Sequence, residues 1–391
     1  MKNTQSSYKG YLIDVYRAEN KLVVWLHTTT SFFYTCTYTP SFFVEDTPKV
    51  RYVLDVENIK YALQTKQNPY GEHIDVLRID TKIQKYERMV SYVEQITEYN
   101  AKMYNADISP EQQFLYDKRL KPMDYVDEAL ICVQRGSRPQ LQTCSVAIEN
   151  QRLGSSAITK IRFNNTIFGG TEKELLQDFT AAFTKENPDC IFMKHAFKYI
   201  PHIEERCRKH SIQFSFHRTH KKPLQYKGGK SYFSYGNVFY RHTSIRLHGR
   251  ILVDTNTFIG KGCSIEGIAE LAELSGTRLQ QVASRSFGAV TQGGLVRELY
   301  TEGRLVPYKH KPVSKPMKLS EYIKADKGGH HMDPLVGYHE DVASIDFSSM
   351  FPSLICKYNI CAEAILNNEK ERYKAPDIPV SMDKKQGFLP Q

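Results

Sequence analysis

The 391-residue chain carries 53 Lys and Arg against 43 Asp and Glu, a formal charge of +10 with a pI near 9.0, a balance that favours a polyanionic partner such as nucleic acid. With 41% apolar and 12% aromatic residues it can bury a core in each of two or three domains and reads as globular. No stretch approaches the roughly 18 consecutive apolar residues that span a bilayer, and the opening MKNTQSSYKGYLIDVY has no apolar core suited to a signal peptide, so membrane roles are set aside and a cytoplasmic location is expected.

In chain order, Tyr11–Tyr16 and Lys21–His27 are short apolar, aromatic runs around Arg17-Ala18-Glu19-Asn20, which predicts a strand, turn, strand pair opening a mixed β domain. Tyr86, Val90, Val93, Ile96 and Tyr99 recur at three- and four-residue steps and predict an amphipathic helix over 84–100. Strand patterns return between Glu128 and Phe168. Thr171-Glu172-Lys173-Glu174 then offers a capping box ahead of Leu175, Leu176, Phe179 and Phe183 on one helical face.

A second alternation follows, with a helix expected over 201–210 after Asn187-Pro188-Asp189 and an aromatic, strand-rich region from Phe214 to Tyr240. Ile265, Ile268, Ala269 and Ala272 predict a helix over 264–275 that stops at Gly276, and another is expected over 292–302. Pro307, Pro312 and Pro316 among the lysines around Tyr308–Lys318 read as an exposed connection between domains. The eight cysteines are scattered, with no CxxC pair or Cys/His cluster at zinc spacing, and read as reduced thiols.

The most informative stretch is Asp341-Val342-Ala343-Ser344-Ile345-Asp346-Phe347-Ser348-Ser349-Met350-Phe351-Pro352-Ser353-Leu354. Mostly apolar residues lead to one carboxylate, then small hydroxyl residues, an aromatic and a proline. A strand ending at Asp346 can present its carboxylate to a metal ion while the next backbone amides face a triphosphate. The alternative is that Asp346 caps a following helix.

The string DFSSMFPSL resembles the first palm motif of family B DNA polymerases, DxxSLYPSI, and continues into Tyr358-Asn359-Ile360-Cys361, where the family often has an Asn-containing tail. Upstream, Asp326-Lys327-Gly328-Gly329 occupies the place of the family's YxGG loop, with Asp326 for the tyrosine. Ile108-Ser109-Pro110-Glu111-Gln112-Gln113-Phe114-Leu115-Tyr116 is similar to a linker helix of the family. GRILVDTNTF, SGTRLQQVASRSFG and GRLVPYKHKP resemble an archaeal branch with a degenerate nuclease domain.

The resemblance implies an α/β and α+β multidomain fold: an N-terminal mixed β domain over 1–125, an RNase H-like exonuclease-type domain over 126–275, and a junction with a partial palm over 276–391. It implies that Asp346 is the catalytic carboxylate, ligating two Mg2+ ions with support from the Phe347 backbone carbonyl. Ser348, Ser349 and Met350 would line the triphosphate of a deoxynucleotide, and the Phe351 ring would lie beneath its sugar and exclude a 2′-hydroxyl. Gly328 and Gly329 would let the backbone approach the phosphates of a primer-template DNA.

The same resemblance places the proofreading carboxylates on segments where most are missing. Ser145-Val146-Ala147-Ile148-Glu149-Asn150 stands for the family's DIE string, so Ala147 replaces the first ligand and Glu149 remains. Phe197-Lys198-Tyr199-Ile200-Pro201 stands for FDLPYL, with Lys198 or Tyr199 where an Asp belongs. No YxxxD string follows, and Glu149 with Asp254 falls short of a two-metal site, so no exonuclease activity is expected and Asp254 is read as structural.

Neither a second palm carboxylate nor a fingers lysine is found, and the chain runs out at Gly387-Phe388-Leu389-Pro390, resembling a GxLP segment that leads into the fingers. A second polypeptide carrying fingers, second palm motif and thumb is therefore the expected partner, acting in DNA replication or repair at the nucleoid. The rival reading is a truncated remnant or a non-catalytic DNA-binding scaffold in which Asp346 does no chemistry. The basic stretch from Arg206 to Lys222 leaves two readings open: a track for single-stranded DNA with Phe214 or Phe216 stacking bases, or a solvated helix face joined to a core strand.

Overall fold

A computed structural model describes residues 9–149, 157–218, 224–234, 237–241, 243–308, 318–325, 332–361, 364, 372–374, 381–383 and 387. The Gly328-Gly329 turn, most of the Pro- and Lys-rich connection and the residues after Gly387 lie outside this set. The chain divides into two compact units, one holding nearly everything up to Val306 and one from Pro307 onward, the latter joined by the Asn68–Glu72 turn.

The first unit opens with β1 (Gly10–Ala18) and β2 (Lys21–His27). Glu19 takes a φ of 56°, so the turn needs only two residues, and Arg17 and Ala18 pair with Leu22 and Lys21 rather than belonging to the turn as the sequence suggested. With β3 (Ser31–Cys36), β8 (Tyr125–Val126) and β9 (Cys132–Gln134) they form an antiparallel sheet in the order β3-β2-β1-β8-β9.

A second antiparallel sheet has β4 (Ser41–Glu45), β5 (Ala62–Gln67), β6 (His73–Asp80) and β7 (Met103–Tyr104) in the order β5-β6-β4-β7. Two helices accompany it, α1 (Pro48–Val56) and α2 (Tyr86–Ile96). The predicted 84–100 helix stops at Ile96 because Glu98 and Tyr99 adopt positive φ and the Thr97 hydroxyl donates back to the Val93 carbonyl at 2.8 Å.

Between these sheets runs α3 (Pro110–Asp117), in which Pro110 through Tyr116 are all buried. Pro110 suits the first helical turn, where its missing N–H costs nothing. Phe114 and Leu115 enter the core under β1 and β2, while three consecutive polar side chains must find partners in the interior. Gln113 donates to the Tyr86 hydroxyl at 2.7 Å and the Ile108 carbonyl at 3.0 Å, and Gln112 donates to the Gly276 carbonyl at 2.6 Å.

Glu111 meets three guanidinium groups: Arg17 at 3.1 Å, Arg278 at 3.8 Å and Arg246 at 3.9 Å. Burial opposes ionisation of Glu111, but Arg278, Arg17 and Arg246 outweigh it and hold the carboxyl at about 2. The neighbouring Asp14 is pushed the other way, chiefly by burial.

The third sheet contains β10 (Thr143–Glu149), β11 (Lys160–Phe163), β12 (Thr166–Phe168), β13 (Cys190–Met193) and β18 (Ile251–Asp254), in the order β12-β11-β10-β13-β18. The β12, β11 and β10 strands pair antiparallel, whereas β10, β13 and β18 run parallel, an RNase H-like arrangement. Helix α4 (Glu172–Glu186) carries the expected capping box from Thr171 to Glu174 and buries Leu175, Leu176, Phe179 and Phe183. It shares a core with α5 (Ala196–Lys209) and with Ile191 and Leu252.

On the opposite face Cys190, Ile251 and Val253 pack with α6 (Phe258–Gly262), α7 (Ile265–Ser275) and α8 (Leu279–Val282). The period-two alternation of a doubly covered sheet is thus visible in two adjacent strands. As expected, α7 ends at Gly276 in the left-handed region. Helix α9 (Phe287–Thr301) starts five residues before the predicted 292 because the Ser286 side chain accepts the Ala289 N–H. The pairs β14 (Gln225–Lys227) with β17 (Ser244–Arg246) and β15 (Lys230–Ser234) with β16 (Asn237–Arg241) complete this unit.

Helix α5 begins at Ala196, five residues before the predicted start at Pro201. Its N-terminus is held by Asp254, whose carboxylate accepts from the His195, Ala196 and Asn256 amides at 3.0, 3.0 and 2.9 Å. Pro201 lies inside the helix, removing only the hydrogen bond that would have reached the Phe197 carbonyl. The second unit contains α10 (Leu319–Ala325), α11 (Met350–Tyr358) and the pair β19 (Arg372–Lys374) with β20 (Ser381–Asp383).

Glu111→Gln removes the buried counter-charge of Arg278 and Arg246, while Arg17 keeps Glu87, and is expected to lower unfolding free energy by about 3 kcal/mol, measured by urea denaturation at pH 7. Because the folded pKa lies below the usual 4.5, this stabilisation is present above 4.5 and is lost as pH falls toward 2. The gap between wild type and variant should therefore narrow on acidification; a constant gap would count against the ionised cluster. Asp254→Ala removes the acceptor for three amides and should cost about 2 kcal/mol in the same assay, with an unchanged midpoint as the contrary result.

Candidate active site

Asp346 lies in the second unit, in an irregular segment from Val342 to Ser348 just ahead of α11. The expected strand ending at Asp346 is not formed: among the described residues no other segment pairs with 342–346. A lone strand leaves its backbone hydrogen bonds unmade, and the segment stays open, with Val342 75%, Ile345 93% and Phe347 78% exposed. The cap reading of Asp346 does not hold either. The residue at the N-cap of α11 is Ser349, in the left-handed region at φ 50°, with no side-chain capping bond.

The Met350 and Phe351 amides occupy the first turn of α11, and Pro352 next to them has no N–H to offer. Helix starts of this kind present backbone donors toward an anion. Phe351 is 72% exposed, and Met350 and Leu354 are also exposed, so one apolar helix face beside Asp346 is uncovered. At the far end Asn359 caps α11 in the left-handed region, and its side-chain oxygen accepts the Gly387 N–H at 2.8 Å. Gly328 and Gly329 fall outside the described residues.

Among the described residues no three His, Cys, Asp or Glu side chains stand close enough to hold a metal ion. One Asp346 carboxylate with the Phe347 carbonyl is too small a donor set for two Mg2+ ions, which need carboxylates shared between them. The residues present do not by themselves fit the implied metal pair.

The nuclease-like positions converge at one place in the first unit, the C-terminal edge of the parallel strands. Val146 pairs with Met193 and Met193 with Asp254, so Ala147, the start of α5 and Asp254 are neighbours there. Such edges are where open α/β sheets bind ligands. Ala147 is exposed and brings no ligand. Glu149 is in β10, its backbone paired with Lys160, and its side chain lies outside the described set. Lys198 places its ammonium 5.4 Å from the Tyr199 ring centre. Asp254 is engaged with backbone amides, as the structural reading of it expected.

The Arg206–Lys222 stretch follows the core reading over the part that is described. Phe216 is fully buried and Phe214 packs on Phe179 and Phe183, so neither ring is open to a base. Arg206 is paired with Glu172. Sequence reasoning missed the Glu111 cluster, whose arginines lie 94 or more positions from Glu111; the only local signal was three polar residues in a row inside an apolar helix.

Comparison with known proteins adds four findings. The model of DNA polymerase family B matches residues 280–386, which include Asp346 and the whole DFSSMFPSL string. Over 115 residues the chain is 35% identical to DNA polymerase 2 of Aeropyrum pernix, covering 28% of this chain and 13% of that protein. It is 24% identical to a DNA polymerase of Pyrococcus glycovorans across 88% of this chain and 50% of the relative. The family B DNA polymerase structure of the hyperthermophilic archaeon Pyrobaculum calidifontis shares its fold with a TM-score of 0.66 at 16% identity, covering 98% of this chain and 62% of that one. The chain thus spans half or less of the curated relatives it matches. On these grounds, residues 280–386 resemble family B of the DNA polymerases in sequence, and the chain shares the fold of one of its members.

Proposed function

We propose that this chain supplies the N-terminal, nuclease-like and first palm portions of a DNA-directed DNA polymerase, with Asp346 as the carboxylate it contributes to deoxynucleotide addition at a primer 3′-OH. The observation that carries this reading is the family match over residues 280–386, which contains DFSSMFPSL, in a segment that is exposed and whose following helix has no side-chain cap. Phosphoryl transfer of this kind rests on positioning and charge stabilisation. The proposed share of this chain is the Asp346 carboxylate, the Phe347 carbonyl, the Ser348–Met350 backbone against a triphosphate, and the Phe351 ring against the sugar. Gly328 and Gly329 would approach the primer-template backbone.

The second palm carboxylate and the fingers lysine come from outside residues 1–391, in this reading, either on continuing sequence or on a partner polypeptide. The exposure of Val342, Ile345, Phe351 and Leu354 supports that, since large apolar side chains left open within one short stretch suit a packing partner. The proofreading reaction is proposed to be absent, because Ala147 and Lys198 stand where carboxylates are needed.

Primer extension with Mg2+ and deoxynucleotides tests the proposal. The chain alone should give no extension, and the chain combined with a fingers, palm and thumb segment of a family B polymerase should extend. Asp346→Ala should reduce that extension by about 10³-fold or more, the scale of losing a group used in the transition state. Extension that survives Asp346→Ala would refute the role of this residue.

A further inference from the structure

Away from the palm segment, the first unit holds a pocket of about 290 Å³ lined by Arg119, Lys121, Arg135, Arg297 and the buried Tyr116 and Leu120. It lies where the C-terminal ends of α3 and α9 meet the strand end carrying Arg135. Cations at helix C-termini have an ordinary explanation, since they offset the partial negative charge of the last carbonyls. That accounts for part of the set. Arg135 donates to the Arg119 carbonyl at 2.9 Å and pairs with Asp124 at 3.2 Å. Arg297 pairs with Glu298 at 2.6 Å and donates to the Leu274 carbonyl at 3.3 Å.

The acids nearby are therefore already engaged, and Glu302 on the pocket wall pairs with Arg304 at 3.1 Å. Arg119 and Lys121 are left with no acidic side chain within 4 Å among the described residues. Lys121 is half-buried, and its ammonium is held below the usual lysine range first by burial and then by Arg297 and Arg135, against the weaker pull of Asp124 and Glu298. Two surplus cations facing a concave wall with two further arginines form a positive site that an anion would relieve.

We propose that this pocket binds a phosphate group, carried by a nucleotide or by a nucleic-acid backbone, with Arg119 and Lys121 as its principal ligands. Arg119 supplies a planar fork that matches two phosphate oxygens, and Lys121 a point charge. The pocket lies in the first unit and Asp346 in the second, so the proposal stands independently of the polymerase reading.

Isothermal titration of the full chain at fixed ionic strength tests it, using inorganic phosphate, a nucleoside monophosphate and a single-stranded 12-mer as probes. At least one phosphate-bearing probe should bind, about tenfold or more weaker in the double variant Arg119→Gln with Lys121→Gln, unchanged in Asp346→Ala, and retained in Lys121→Arg. Binding of the monophosphate assigns the site to nucleotides, and binding of the strand alone assigns it to a backbone phosphate. No binding of any probe at millimolar concentration overturns the proposal. Equal binding by the double variant, with a melting temperature like wild type, overturns it as well, and so does loss of binding in Asp346→Ala.

Discussion

A carboxylate buried among three arginines sets the geometry of the first unit. Glu111 is 1% exposed, and an ion in that position is tolerated only while its counter-charges are in place. The counter-charges come from β1, from β17 and from the residue that precedes α8, and Arg278 also donates to the Val15 carbonyl at 3.0 Å. Glu111 on α3 is thus compensated where β1, β17 and the residue preceding α8 come together. Removing Glu111 leaves uncompensated charge at Arg278 in the interior, which is how a cluster of little net stabilising value can still specify one arrangement.

The same junction is reinforced by a second buried carboxylate and by shared apolar packing. Asp189 accepts from Ser31 on β3 at 2.7 Å and from the Gln142 amide at 3.0 Å, with Arg218 at 2.8 Å. Ile13 and Trp25 of the first sheet belong to the same core as Ile251, Val253 and Ala269. One face of the third sheet therefore packs with residues of the first sheet and α6–α8, and the other with α4 and α5. Asp254, at the edge where a proofreading site would lie, is committed to holding the start of α5.

Much of this architecture was legible locally. The capping box at Thr171, the α7 helix with its Gly276 stop and the β1–β2 hairpin follow from residues within a few positions of one another. The misplacements have tertiary causes. Pro201 reads as a helix start in isolation, but Asp254, more than fifty residues away, satisfies amides upstream of it and lets α5 begin earlier. The Arg206–Lys222 charges suggested a strand-binding track, while Phe216 is drawn into the core shared with α4. DFSSMFPSL carries its family likeness in sequence alone; a strand there needs a pairing partner that no described residue provides, so the motif was recognisable even though its expected local structure is not formed.

We propose that the open, unpaired segment around Asp346 becomes a strand only when further palm sequence joins it. Hydrogen–deuterium exchange across residues 342–347 tests it directly, comparing the chain alone with the chain joined by a fingers, palm and thumb segment and a primer-template. Fast exchange alone and strong protection in the assembled sample is the expected result, since ladder formation would shield these amides. Equally fast exchange in both, in a sample shown to be assembled, would contradict the account.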